Sequence, residues 1–179
     1  MRRIFTLCLA LILTAASARA TTLDRVVAVV GDRVILLSEV QARAKPYVLL
    51  ATQQEKDSLA LARLTTKALH ETCERMIDEL LIEDEASRQR VVVDNDEVDR
   101  AIASLATQNG LTLTQLYQEA RAQGYDAPAY RAEIRHQMLE QKLALHVAKV
   151  TDASKIEAAR KQMIADLRAH TYLEDRLAP

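Results

Sequence analysis

Glycine and proline each occur only three times in 179 residues, where average usage predicts about a dozen glycines and about nine prolines. A chain so short of turn material cannot supply the many tight turns of a β-sandwich or the glycine-rich loops of a doubly wound nucleotide fold. No G-x-x-x-x-G-K or G-x-G-x-x-G string occurs, so there is no sequence signature of a phosphate cradle. At 49% hydrophobic and 27% charged the composition is that of an ordinary folding chain. A mainly α fold follows.

The first twenty residues set themselves apart. Arg2 and Arg3 precede an apolar run from Ile4 to Ala16, and Ala18-Arg19-Ala20 closes the segment with small residues. This pattern predicts a cleaved secretory signal with cleavage after Ala20. The apolar run is too short for a membrane span, which needs about 20 residues. Cys8 sits in mid-run, too far from the cleavage signature to become an acylated first residue.

Removing Arg2, Arg3 and Arg19 from 24 basic residues leaves 21 against 25 acidic ones, a net charge of −4. Nucleic acid is a poor partner for that balance. Cys73 becomes the single thiol of the exported chain, so no intramolecular disulfide is expected and stability must come from packing. The remaining length suits one domain without staples.

Residues 25–37 are unlike everything after them. Val26, Val27, Val29 and Val30, then Gly31-Asp32, then Val34, Ile35, Leu36 and Leu37 predict a β-hairpin with a two-residue turn. A lone hairpin is marginal in water, so it must lie against helices or gain another strand. Ser38 with Gln41 reads as a capping box opening a helix that Pro46 kinks or ends. From about Lys56 to Arg90 a long amphipathic helix is predicted, with Leu69, Cys73, Met76, Leu80 and Leu81 on one stripe. His70, Glu71, Glu74, Arg75, Asp78 and Glu79 fall on the opposite, solvated side.

Three further helices carry their own start signals: Asp94 with Glu97, Thr112 with Gln115, and Asp126 with Pro128. Asn109-Gly110 and Gly124 mark the intervening stops. The helix after Asp126 carries Tyr130, Ile134, Met138, Leu139, Leu143, Leu145 and Val147, an arc too wide for one contact, so it is expected to touch two surfaces. A last helix holds Ile156, Met163, Ile164 and Leu167 at helical spacing, followed by a short tail from Tyr172.

The ordered set "VVAVVGDRVILLSEV" (26–40), a long helix, "VVVDNDEVDRAI" (91–102), "NGLTLTQLYQEARAQGY" (109–125) and "YRAEIRHQMLEQKLALHV" (130–147) resembles the N-terminal domain of the SurA family of periplasmic chaperones. The resemblance implies a helical chaperone core with a small N-terminal hairpin, to which a C-terminal helix and strand return. It implies ATP-independent binding of unfolded or nascent outer-membrane and secreted polypeptides in the periplasm. The organisation expected is a signal peptide at 1–20, the chaperone domain at 21–150, and a helix and tail at 151–179 completing the same domain. In that family a parvulin-type prolyl isomerase domain usually follows the first part. Here Thr151 to Ser154 leads almost directly into the returning helix, so isomerase activity is not expected.

Candidate chemistry is sparse. His70 and Cys73 stand one helical turn apart with Glu74 beside them, a spacing that suits metal ligands, but Cys73 fits the apolar stripe and His70 the solvated one. Asp94, Asp96, Glu97 and Asp99 lack the central glycine and distal glutamate of a calcium loop, and capping explains them. His136, His146 and His170 have no neighbouring nucleophile in sequence. No catalytic residue, metal or cofactor is therefore expected, nor any nucleotide, nucleic acid or stable membrane insertion. With no Phe or Trp after the leader, an apolar client surface would be lined by Leu, Ile, Val, Met and Tyr. The candidate client-contacting residues are Tyr117, Tyr130, Ile134, Met138 and Leu145. The alternative is a non-catalytic envelope subunit that docks one folded partner.

Overall fold

The computed structural model describes residues 24–148 and 153–177; the signal-peptide reading of residues 1–20 lies outside them. The chain runs β1 (Val26–Val30), β2 (Arg33–Leu36), α1 (Leu37–Gln54), α2 (Ser58–Gln89), α3 (Asn95–Gln108), α4 (Leu113–Ala122), α5 (Ala127–Ala148), α6 (Ala153–His170) and β3 (Leu173–Asp175). The fold is mainly α with one small antiparallel sheet of order β2-β1-β3.

The hairpin turns where expected, with Gly31 at φ +59°, a conformation that costs glycine little. It gains both of the supports it needs. β3 pairs with the free edge of β1, from Val30 opposite Leu173 to Ala28 opposite Asp175, and Gly31 N–H donates to the Tyr172 carbonyl at 2.9 Å. The inner face packs on α2: Val27, Ala28, Val30 and Ile35 join Val40, Cys73, Ile77 and Leu81 in one buried cluster. An irregular register between Val26 and Ala28 breaks the strict alternation of a strand, so the consecutive residues Val27 and Ala28 are both buried.

The entry to α1 differs from the predicted Ser38 cap. β2 runs straight into the helix, Leu37 N–H donating to the Arg25 carbonyl at 2.8 Å. Leu36, extended, therefore occupies the cap position, and its N–H is taken by the Glu39 carboxylate at 2.8 Å. Ser38 lies in the first turn and donates its hydroxyl to Asp24. Sheet pairing held to the last residue of β2 displaces the box by two positions. Nor does Pro46 end the helix, which continues to Gln54. An interior proline costs about 3 kcal/mol in isolation, and here tertiary packing carries it: Pro46 lies against Gly124, where a Cβ would come within 3.1 Å of the Pro46 Cα.

α2 starts on Asp57, whose side chain accepts from Ala60 N–H. It ends on Arg90 in the left-handed conformation at φ 55°, with Val91 N–H returning to the Ala86 carbonyl at 2.8 Å. The boxes at α3 and α4 form as read, Asp94 reciprocating with Glu97 and Thr112 with Gln115. Asp126 accepts from Ala129 N–H at the head of α5.

α5 touches two surfaces. Tyr130, Ile134 and Met138 pack on the α3–α4 cluster of Val98, Ile102, Ala106 and Leu116. Leu139, Leu143 and Ala144 join Ile82, Ala86, Val91 and Met163 in a second cluster shared with α2 and α6. The sheet, the C-terminal half of α2, α5 and α6 thus form a common waist, from which the α1–α2 hairpin extends on one side.

Candidate functional site

The polar side of α2 is not the solvated face its spacing suggests. Arg168 of α6 donates to Asp78 at 2.6 Å and to Glu74 at 2.8 Å, and Arg43 of α1 donates to Glu79 at 2.7 Å and faces Glu133 of α5 at 3.4 Å. His136 of α5 stands between Glu79 and Glu83 at 3.9 and 3.5 Å. Burial pushes the carboxyl groups of Glu79 and Asp78 above their ordinary range, although Arg43 and Arg168 oppose it. These pairs tie four helices together through groups with no nucleophile among them.

Above this layer lies a tyrosine cluster that joins α1, α2, α4 and α5. Arg75 donates to the Tyr47 hydroxyl at 2.7 Å and lies 4.7 Å over the Tyr47 ring, a cation–π geometry. The Tyr125 hydroxyl donates to that of Tyr47 at 3.1 Å. Tyr130 stands edge-on to both Tyr117 and Tyr125, with ring centres 5.9 and 6.5 Å apart. Burial and the bond to Tyr47 raise the proton affinity of the Tyr125 hydroxyl, and burial does the same for Tyr130.

The outer side of the cluster opens into a trough between α1 and the α4–α5 turn. Its larger lobe, about 630 Å³, has Arg43, Pro46 and Leu49 on one wall and Gly124, Tyr125 and Glu133 on the other. A second lobe of about 390 Å³ continues past Tyr47, Leu50 and Gln53 to Ala122. Pro46, Leu49 and Tyr125 border both lobes. Leu49 and Leu50 are 39% and 52% exposed, and the charges at the rim are of both signs. The absent side chain of Gly124 lets the two walls meet at the base.

The sequence-derived client residues are divided by the structure. Tyr117, Tyr130, Ile134 and Met138 are partly buried against the α3–α4 cluster, with Tyr130 reaching the trough through Tyr125. Leu145 lies apart, beside Val91, Val92, Lys142 and His146. Pro46, Tyr47, Leu49, Leu50 and Tyr125 were not signalled as a surface. The run from Tyr47 to Leu50 was the available hint, since four consecutive apolar residues exceed what one helix face can bury.

Other candidates resolve into structural roles. Cys73 is buried in the sheet–α2 cluster, its thiol pushed up to about 11 by burial and by the Asp175 and Glu74 carboxylates; the donor atoms that gather beside it are those of His70, Glu74 and Asp175, without the Cys73 Sγ. Glu97 caps α3 and also accepts from Lys142 at 2.8 Å, and Asp99 pairs with Arg131. His170 contacts the Asp166 carbonyl within its own helix.

These elements recur in known proteins. A model of the SurA N-terminal domain matches residues 23–144, from the hairpin to the second cluster on α5. A protein of Sodalis glossinidius named Chaperone SurA is 33% identical over 140 residues, covering 76% of this chain and 31% of the relative. Its namesake from Alkalilimnicola ehrlichii is 34% identical over 123 residues, 68% of this chain and 27% of the relative. One from Legionella pneumophila strain Lens is 32% identical over 120 residues, 65% of this chain and 26% of the relative. The chain thus spans about a third or less of the curated relatives it matches. Because the matched stretch carries the hairpin, the α2 waist and both faces of α5, the chain belongs to the SurA N-terminal domain family.

Proposed function

We propose that this chain is an ATP-independent periplasmic chaperone that holds unfolded or nascent outer-membrane and secreted polypeptides in the trough between α1 and the α4–α5 turn. The observation that carries the reading is the trough itself: open along its length, walled by Pro46, Leu49, Leu50 and Tyr125, and rimmed by charges of both signs. An extended chain needs such a surface, since apolar side chains of many shapes can enter it without a fitted pocket. Relatives named as chaperones support the same reading. Tyr117, Tyr130, Ile134 and Met138 brace the wall from beneath, and Leu145 offers a smaller, separate contact.

Delivery to the periplasm rests on the leader and its cleavage after Ala20. Among the described residues no helix is long and apolar enough to cross a membrane. Holding requires no chemistry, and the segment between α5 and α6 has only four residues, 149–152, too few to insert an isomerase domain there. We therefore expect residues 21–179 to show no prolyl isomerase activity.

The test is light scattering from an outer-membrane protein diluted out of urea. The wild-type chain should suppress aggregation, and a Leu49→Ser, Leu50→Ser variant should need several-fold more protein for the same suppression while melting at the same temperature. Equal suppression by the variant would move the client surface elsewhere. No suppression by the wild type, with a single stoichiometric complex to a folded envelope protein instead, would select a docking subunit.

A further inference from the structure

We propose that His70, Glu74 and Asp175 form a binding site for a borderline divalent cation of the Zn²⁺ or Co²⁺ class, which fastens the C-terminal strand to the central helix. His70 and Glu74 lie one turn apart on α2, and Asp175 is the last residue of β3. One ligand atom from each falls within 4.8 Å of the others. The three donors are brought together only by the return of the chain's end.

The strongest sign is an orphaned nitrogen. His70 Nδ1 is shut off from solvent and has no hydrogen-bond partner. It faces Asp175 Oδ2 at 3.9 Å, beyond hydrogen-bonding reach. A buried polar atom normally finds a partner, and a cation between the nitrogen and the carboxylate would serve both.

The carboxylates are already oriented for this task. Arg168 holds Glu74 by Oε2 at 2.8 Å, and Leu177 N–H holds Asp175 by Oδ1 at 2.8 Å. Among the described residues, Glu74 Oε1 and Asp175 Oδ2 are left without hydrogen-bond donors. Such outer contacts fix the direction of metal ligands. Local charge is in keeping with this: Glu74 and Asp78 share the guanidinium of Arg168, and Asp175 adds a third carboxylate facing His70.

Donor chemistry selects the metal. One imidazole nitrogen with two carboxylate oxygens suits Zn²⁺ or Co²⁺ with water completing four-coordination, whereas Ca²⁺ and Mg²⁺ prefer all-oxygen sets of six or more. Tetrahedral zinc sets its ligand atoms roughly 3.3 Å apart, which small side-chain rotations can reach from the present separation. The His70 ring borders a surface depression of about 470 Å³ with Arg63, Lys67 and Leu177, and its side chain is 45% exposed.

The experiment titrates ZnCl₂ into the purified chain, first stripped with chelator, by calorimetry and by thermal melting. The expected result is one Zn²⁺ per chain, with the melting temperature raised by about 5 to 10 °C at a hundredfold excess over Kd. His70→Gln and Asp175→Asn should each weaken binding at least tenfold, with melting temperatures in chelator within a few degrees of wild type. A His146→Gln, His170→Gln variant should bind as wild type does. Absence of saturable binding, binding unchanged in His70→Gln, or binding lost with His146 and His170 would each overturn the proposal. If His70→Gln unfolds, Asp175→Asn decides alone, with a Co²⁺ absorption spectrum that must lose its imidazole-and-carboxylate signature.

Discussion

From Ser58 to about Ala68, α2 holds Leu59 and Leu64 outward, 60% and 40% exposed, with the Lys67–Glu71 pair alone along its own axis. From Leu69 onward the same helix buries Thr72, Cys73, Ile77, Leu81, Ile82 and Ala86 and receives Arg33, Arg43 and Arg168 on its acidic side. The two halves share helix-forming residues and no glycine or proline, so local propensity does not separate them. Their neighbours do. The C-terminal half is met by the sheet, α5 and α6 as well as by the first part of α1, whereas the N-terminal half borders a groove whose other wall is Val48, Leu49 and Thr52 of α1. Buried packing is concentrated in one half, and the α1–α2 hairpin keeps Leu49, Leu50, Leu59 and Leu64 exposed.

The most severe way to break this contrast is to remove what covers the C-terminal half. Ending the chain at Ser154 deletes buried Met163, the flanking Ile164 and Leu167, the Arg168 pairs and the β3 edge. Each apolar side chain contributes roughly 1.5 to 3 kcal/mol when fully buried, so even partial losses approach the 5 to 15 kcal/mol typical of a domain. Circular-dichroism melting should lose its cooperative transition. A truncated chain melting within a few degrees of the full one would refute the assignment of α6 and β3 to the same folding unit.

A sharper comparison places the same change in each half. Leu81→Ala or Ile77→Ala should cost about 2 to 5 kcal/mol in urea unfolding, because the surrounding cluster cannot collapse into the space. Leu59→Ala or Leu64→Ala should stay within about 0.5 kcal/mol. Comparable losses in both halves would mean that the exposed tip is packed in solution.

The smallest expected effect concerns acid. Burial raises the folded-state pKa of Glu79 above its unfolded value, so the folded protein binds that proton more tightly, and the cost of the buried charge is present above the folded pKa and relieved as pH falls through it. The stability of wild type relative to Glu79→Gln should therefore improve slightly as pH drops from 7 to 4. A difference that stays flat, or grows in favour of Gln, would show that Arg43 and His136 outweigh desolvation.

Much of this architecture was legible locally. The Gly31 turn, the boxes at Asp94 and Thr112 and the stops at Gly110 and Gly124 rest on interactions within a few residues, and the wide arc of α5 announced two contacts. Ser38 misled because the helix entry is decided by pairing between Leu37 and Arg25. The candidate site was the least readable part. Tyr130, Ile134 and Met138 looked like surface as much as core, and only the arrival of α3 and α4 assigns them inward. Leu49 and Leu50 stay 39% and 52% exposed because they border the trough beside the Gly124 turn rather than a core cluster.

By itself the sequence determined what hydrogen bonds between near neighbours can decide: scarcity of glycine and proline commits the chain to helices, and capping residues set where most of them begin. Tertiary structure alone decided which polar groups would meet. Asp175 stands about a hundred residues along the chain from His70 and Glu74, and Arg168 stands 90 from Asp78. No periodicity relates such pairs, because their proximity is produced by burying the stripe of α6 and adding β3 to β1, a gain in apolar burial and strand pairing that is indifferent to which charges it carries along.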